Sequence, residues 1–266
     1  KYSQEWAVRL MHEKQMHEES CFITLTLSPE YLETRDNPYS LDKTEFQRFM
    51  KRLRKRYGKQ IRYFHCGEYG EKNNRPHYHA IIFGMDFQDK ELFKTRDEIR
   101  LYVSQTLSEI WPYGFSTIGE VTMESAAYVA RYVTKKIKGK DAEQHYIRWD
   151  PSTGEGIPIE PEYATMSRGN NLPIDHPNAT RGIGWEWFKK YKADVYPHDY
   201  VVMKKHKIRP PRFYDKQLSE QELEKIKAKR LEELPEVIDQ YNEAMDRLWV
   251  EEAVKEKRLE LLIKEL

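Results

Sequence analysis

The stretch from residue 61 to residue 84, IRYFHCGEYGEKNNRPHYHAIIFG, constrains the fold more than any other. Two runs rich in aromatic and β-branched residues, IRYFHCGE and PHYHAIIFG, flank the polar turn YGEKNNR, the pattern of adjacent antiparallel strands. Side chains alternate along a strand, so His77 and His79 share one face with Ile81 and Phe83, while Ala80 and Ile82 take the other. A strand apolar on both faces belongs in the interior of a sheet. Two imidazoles at its polar end can offer ring nitrogens to one metal ion, and Glu68, closing the preceding strand, is placed to add a carboxylate oxygen. Two histidines and one carboxylate with open positions suit a hard or borderline divalent cation. By itself a His-x-His run is equally at home where histidines only hydrogen-bond to loops.

A chain of 266 residues with 18 Tyr, 10 Phe and 6 Trp can bury one substantial core, or a core plus a small appendage. The formal charge of +1 conceals a split: residues 217–266 hold 14 acidic and 9 basic side chains, leaving 30 and 36 for the rest. Cys21 and Cys66 both fall in strand-like runs, which argues against a disulfide scaffold and for a reducing compartment. No run of about 18 apolar residues suggests a membrane span, and no secretion signal is evident. The opening Lys-Tyr-Ser, without Met, reads as a trimmed N-terminus.

Taken in order, residues 2–19 read as a helix with Trp6, Leu10 and Met11 on one face, and 21–29 as a strand stopped by Ser-Pro. Asp42 with Glu45 three residues on marks a helix start, and Phe46, Phe49, Met50, Leu53 and Tyr57 form its buried stripe. Its other face carries Arg48, Lys51, Arg52, Arg54, Lys55 and Arg56 with no acid between them; this is either a solvated face or a surface for a phosphate backbone. Residues 96–110 are expected to form one helix, and 114–122 a strand. The order α-β-α-β-β-α-β points to an α+β fold, one antiparallel sheet with helices packed mainly on one face. A helix over 124–140, capped by Ser125 and ended by Gly139, puts Tyr128 and Tyr132 on one face with Lys135 three further along. Tyrosines at that spacing are most often packing residues. Residues 145–183 read as long loops, and 181–216 interleave Trp185, Trp187, Phe188 and Tyr191 with Lys and Arg, as a base-stacking surface or as a packed extension of the core. From 219 onward the pattern is helical and charged, broken at Pro235, with Leu223, Ile226, Leu231, Leu234, Leu259, Leu262 and Ile263 as its apolar positions.

Three motifs in this order, Ile23-Thr24-Leu25-Thr26, His77-Tyr78-His79 and Tyr128-x-x-x-Tyr132-x-x-Lys135, resemble those of the HUH endonucleases that initiate rolling-circle replication. The wider wording RPHYHAIIFG, SAAYVARYVTKK and RPPRFYDK is similar to the gokushovirus replication initiation proteins of the Microviridae, across roughly residues 1–216. The segment NNLPIDHPNAT (170–180) is longer than in those proteins. The resemblance implies an RRM-like antiparallel sheet with flanking helices. It divides the chain into an endonuclease core (1–145), a loop-rich extension packed on it (146–216) and charged C-terminal helices (217–266). It also implies that Glu68, His77 and His79 hold Mg²⁺ or Mn²⁺, and that Tyr128 and Tyr132, aided by Lys135, attack a phosphodiester. The product would be a 5′-phosphotyrosine with a free 3′-hydroxyl, resealed later by the reverse step. Arg48, Lys51, Arg52, Lys55, Arg131, Lys136 and Lys138 would bind single-stranded origin DNA in the cytoplasm of a bacterial host. The C-terminal helices would either recruit host replication proteins or brace the domain. Alternatives on the same residues are a zinc or iron enzyme with structural tyrosines, a relaxase or plasmid-type initiator, and a non-catalytic RRM-like binder.

Overall fold

Alternation of apolar side chains along the strands sets the layering of this chain. The computed structural model describes residues 2–58, 60–70, 73–96, 98–135, 137, 139–150, 152–170, 172, 176, 181–232, 251–255 and 257. In chain order the elements are α1 (Tyr2–Lys14), β1 (Ser20–Thr26), α2 (Pro29–Glu33), α3 (Lys43–Tyr57), β2 (Arg62–Tyr69) and β3 (Pro76–Phe83). Then follow β4 (Glu91–Arg96), β5 (Ile99–Val103), α4 (Gln105–Ile110), β6 (Ser116–Gly119), α5 (Met123–Lys135) and α6 (Lys140–His145). The remainder is β7 (Ile147–Trp149), β8 (Gly156–Pro158), β9 (Tyr163–Met166), α7 (Trp185–Val195), β10 (Val201–Met203), β11 (His206–Ile208), α8 (Arg212–Asp215) and α9 (Glu220–Glu232).

Seven strands form one antiparallel sheet in the order β4-β5-β6-β1-β3-β2-β9. Its centre is a β-α-β-β-α-β unit, β1-α3-β2-β3-α4-β6, with spatial order β6-β1-β3-β2, consistent with an RRM-like fold. The expected α+β class and large antiparallel sheet are present, and β3 is interior, between β1 and β2.

The helices do not gather on one face as the sequence suggested. Cys21, Ile23 and Leu25 of β1, with Tyr78, Ala80 and Ile82 of β3, are buried with Phe46, Phe49, Met50 and Leu53 of α3 and Trp111 after α4. The alternate positions Phe64, Cys66, Ile81 and Phe83 are buried on the other face with Trp6, Ala7 and Leu10 of α1 and Ala126, Val129 and Ala130 of α5. Both faces of β2 and β3 are thus apolar because both are covered, which composition alone does not reveal. The fully buried Trp111 satisfies its indole N–H on the Thr26 carbonyl, 2.8 Å away, as a buried indole requires.

Other boundaries differ for local reasons. The expected helix over 96–110 is a hairpin arm plus a short helix: Ile99-Arg100-Leu101-Tyr102-Val103 is β5, rich in residues that favour strands. Helix α4 starts only where Ser104 Oγ accepts the Leu107 N–H and the Asp89 carboxylate accepts the Thr106 N–H and the Ser104 hydroxyl. For α5 the start is set by Thr122 and Ser125 together, whose side chains accept each other's backbone N–H, rather than by Ser125 alone. That helix ends at Lys135, ahead of Gly139. Within the expected loops of 145–183, β9 adds an outer strand beside β2.

The aromatic segment 181–216 is a packed extension. Trp185, Trp187 and Phe188 are buried, His12 stacks on Trp187 with ring centroids 3.5 Å apart, and buried Glu13 accepts the Gly184 N–H and pairs with Arg62. The chain divides into two units, 1–214 and 215–266. In the second, Arg230 pairs with Asp215 at 2.7 Å, and Leu234, Pro235, Leu259, Leu262 and Ile263 lie outside the described residues. Among the described residues no helix is long and apolar enough to cross a membrane.

Candidate active site

The β2–β3 register sets Glu68 directly opposite His77, and β1–β3 sets Thr24 opposite His79. These four side chains share the sheet face that α5 covers, and the helix lays Tyr128 over them. One ligand atom from each of Glu68, His77 and His79 lies within 4.8 Å of the other two. A single oxygen is the focus: Glu68 Oε1 is 2.7 Å from His77 Nε2, 2.7 Å from His79 Nε2, and accepts the Tyr128 hydroxyl at 2.7 Å.

Burial makes this arrangement demanding. Glu68 is only 2% exposed and His79 7%, and a buried carboxylate needs compensating charge or donors. Desolvation alone would raise the Glu68 carboxyl, but hydrogen bonds and charge from His77 and His79 outweigh it and hold it at about 2. Burial lowers His79, with Glu68 opposing. The Tyr128 phenol is pushed well above its ordinary value, first by burial, then by the charge and hydrogen bond of Glu68.

Proton positions test whether the set fits a cation. The Arg75 carbonyl can only accept, so the 3.1 Å contact from His77 Nδ1 places a proton there. In a neutral ring Nε2 is then a lone pair facing the Glu68 oxygen. That contact calls for positive charge, either a second proton on the ring or a cation between the groups. His79 Nδ1 is engaged by Thr24 Oγ1 at 2.9 Å, and its buried Nε2 makes no properly directed hydrogen bond despite its closeness to Glu68. Two imidazole nitrogens and a carboxylate oxygen converging with unmet directionality fit a divalent ion, and Thr24 is an outer partner that fixes ligand orientation. Thr24 stood in the first sequence motif without an assigned role; strand alternation and the pairing of β1 with β3 were the signal for it.

The tyrosines are one helical turn apart. The Tyr132 hydroxyl lies 3.3 Å from that of Tyr128, with ring centroids 5.6 Å apart, and Tyr132 is the more buried. Arg131 sits over the Tyr128 ring at 5.3 Å. The side chain of Lys135, and Lys136 and Lys138 altogether, lie outside the described residues. Arg48, Lys51, Arg52 and Lys55 are not brought to the site, because α3 covers the opposite face of the sheet. Arg52 is spent structurally, donating to the Ile110 carbonyl and Tyr113 hydroxyl.

A sequence model of the replication-associated protein ORF2 family matches residues 20–137, spanning β1 through the tyrosine helix. The chain is 30% identical over 261 residues to replication-associated protein VP4 of Bdellovibrio phage phiMH2K, covering 91% of this chain and 74% of that protein. Replication-associated protein ORF2 of Spiroplasma virus 4 is 33% identical over 230 residues, covering 81% and 63%. Replication-associated protein ORF4 of Chlamydia phage 1 is 38% identical over 146 residues, covering 51% and 35%. No solved structure matches significantly. On this similarity, and in line with the Microviridae initiators that its motifs resemble, the chain belongs to the phage replication-associated protein family.

Proposed function

We propose that this chain is a metal-dependent HUH-type nicking–joining enzyme that cuts single-stranded DNA at a phage origin through a tyrosine nucleophile. The observation that carries the reading is the meeting of the Tyr128 hydroxyl and both histidines on one buried carboxylate oxygen. Glu68, His77 and His79 would hold Mg²⁺ or Mn²⁺. Bound there, the ion supplies Lewis-acid chemistry, offsetting charge on a scissile phosphate and lowering the cost of a phenolate.

The chain's own groups do the rest. Glu68 orients the Tyr128 oxygen toward the site, and the Arg75 carbonyl and Thr24 hydroxyl hold the imidazoles with Nε2 facing inward. Tyr128 Oη forms the new bond to phosphorus as the 3′-oxygen leaves and takes up a proton. The products are a 5′-phosphotyrosine and a free 3′-hydroxyl that a polymerase can extend. The number of phosphodiester bonds is unchanged, so attack by a 3′-hydroxyl reverses the step and closes a circle without ATP. Tyr128, which contacts Glu68, is the first nucleophile in this reading. Tyr132, one turn behind, is the second, cutting the regenerated origin while the first tyrosine still holds DNA. A hydrolytic zinc or iron enzyme gives no role to the Tyr128–Glu68 bond, and family membership favours action on replicating DNA.

The test is incubation with circular single-stranded phage DNA and Mn²⁺, read on a denaturing gel. A covalent protein–DNA band that needs metal, persists at reduced level in Tyr132→Phe and is lost in His77→Ala and in the double tyrosine variant supports the reading. Tight metal-independent binding with no band on origin-containing DNA contradicts it.

A further inference from the structure

On the face of the sheet away from Tyr128, α3 and the β2–β9 edge enclose a groove of about 840 Å³. One stripe of α3, Lys43, Gln47, Met50, Lys51 and Arg54, forms one wall, and Tyr163, Thr165 and the residues through Asn170 form the other. Lys43, Lys51, Arg54, Arg62 and Arg168 line it, and among the described residues the lining holds no carboxylate. Some of these cations are engaged elsewhere: Arg62 with Glu13, Arg54 with the Ile61 carbonyl, and Lys43 with Glu160 at 3.2 Å. Lys51 and Arg168 are exposed and make no ion pair or hydrogen bond among the described residues.

The floor is also distinctive. Buried His65, 1% exposed, leaves its Nε2 without a partner, and the Tyr163 hydroxyl beside it is likewise unpartnered. His65 Nδ1 is engaged by Thr165 at 3.3 Å, and its ring lies 3.4 Å from that of Phe46 and 5.2 Å from that of Tyr163, centroid to centroid. A merely solvated cationic face has no need of orphaned polar atoms and partly exposed rings at its base. Cations without acids select a phosphate-bearing ligand. Rings with adjacent polar atoms accept a base without demanding a sequence. The groove is open along β9, as a chain rather than a small molecule requires.

We propose that this groove is a second binding site, for a segment of single-stranded DNA, set on the sheet face opposite the tyrosines. The choice of DNA over another polyanion rests on the proposed function; the groove itself does not. The strand held there is outside the reach of Tyr128, so one protein would grip DNA at two places.

The experiment uses the full chain carrying Tyr128→Phe and Tyr132→Phe, so that no cleavage intervenes, and a fluorescein-labelled dT dodecamer read by anisotropy across a KCl series. Lys51→Glu with Arg168→Glu is compared with a charge-matched control, Lys189→Glu with Lys190→Glu on α7, whose residues do not line the groove. The groove pair is expected to weaken binding on the order of tenfold and to lower the salt slope by about 1.4, since each single-strand phosphate no longer neutralised removes about 0.7. The control pair is expected to leave both near the parent values. Equal weakening by the two pairs, or by neither, overturns the proposal. So does dTMP binding as tightly as the dodecamer, which would make the groove a nucleotide pocket. Adduct formation by the tyrosine-intact chain is measured alongside: its absence sinks the nicking reading and leaves the binding result standing.

Discussion

At the scale of single residues, the chemistry turns on which way a few ring nitrogens point. Glu68 Oε1 draws two imidazoles and a phenol because register puts it opposite His77 and because α5 delivers Tyr128 onto the same face. His77, His79 and Glu68 were legible in the sequence, since alternation fixes which side chains share a face. Their outer partners were less so: the Arg75 carbonyl is backbone, and Thr24 gains meaning only from the strand it pairs with. Thr24→Val keeps shape and strand preference but removes the hydroxyl at His79 Nδ1. Loss of such an outer partner typically weakens metal binding by about 10- to 100-fold. Calorimetric titration of Mn²⁺ into Thr24→Val should show that loss with an unchanged circular dichroism spectrum; wild-type affinity would deny Thr24 its orienting role.

At the scale of elements, period was easier to read than partner. The apolar stripe of α3 and its Asp42 cap match the sequence reading, with Asp42 accepting the Thr44 N–H at 2.8 Å. Which sheet face the helix would cover was not legible, because β3 is apolar on both sides. Hence six cations that invited a role beside the histidines lie across the sheet from them. The run at 99–103 misled for a related reason: Ile99 and Val103 are four apart, as in a helix, yet Ile99, Leu101 and Val103 also alternate, and the Ser104 cap decides between the two. The turn into β6 offers a sharper test of element packing. A Cβ at Gly114 would lie 2.6 Å from the Ser28 nitrogen and closer still to the Thr26 carbonyl oxygen, both rigid backbone atoms. Gly114→Ala must therefore push β1 and β6 apart where Trp111 also bonds to Thr26. The expected cost is about 2–4 kcal/mol, the range of severe core overpacking, measured by urea denaturation; a cost below about 0.5 kcal/mol would contradict the close approach.

At the scale of the whole molecule, stability and activity both depend on groups held in unusual protonation. His12, stacked on Trp187 and bonded to the Tyr214 hydroxyl at 2.8 Å, is lowered by burial to about 3, and His65 is lowered further still, also chiefly by burial. Both rings are neutral in the fold and gain a proton near pH 6.5 when the chain unfolds. Stability is therefore full above about pH 6.5 and declines as the pH falls toward 3, with a slope of about 1.4 kcal/mol per pH unit for each proton taken up on unfolding. His12→Gln keeps a partner for Tyr214 and removes one such proton, so its stability between about pH 5.5 and 3.5 should fall less steeply by that amount; parallel profiles would show that His12 does not carry the effect. Activity rests on a different set, and the direct measurement is to find where DNA becomes attached. After reaction with origin DNA and Mn²⁺, nuclease and protease digestion followed by mass spectrometry locates the residual nucleotide on a peptide. The account predicts it on Tyr128 in the wild type after a single turnover, on Tyr132 in Tyr128→Phe, and nowhere without metal. A nucleotide on any other residue, or none at all on an origin that the protein binds, would contradict it.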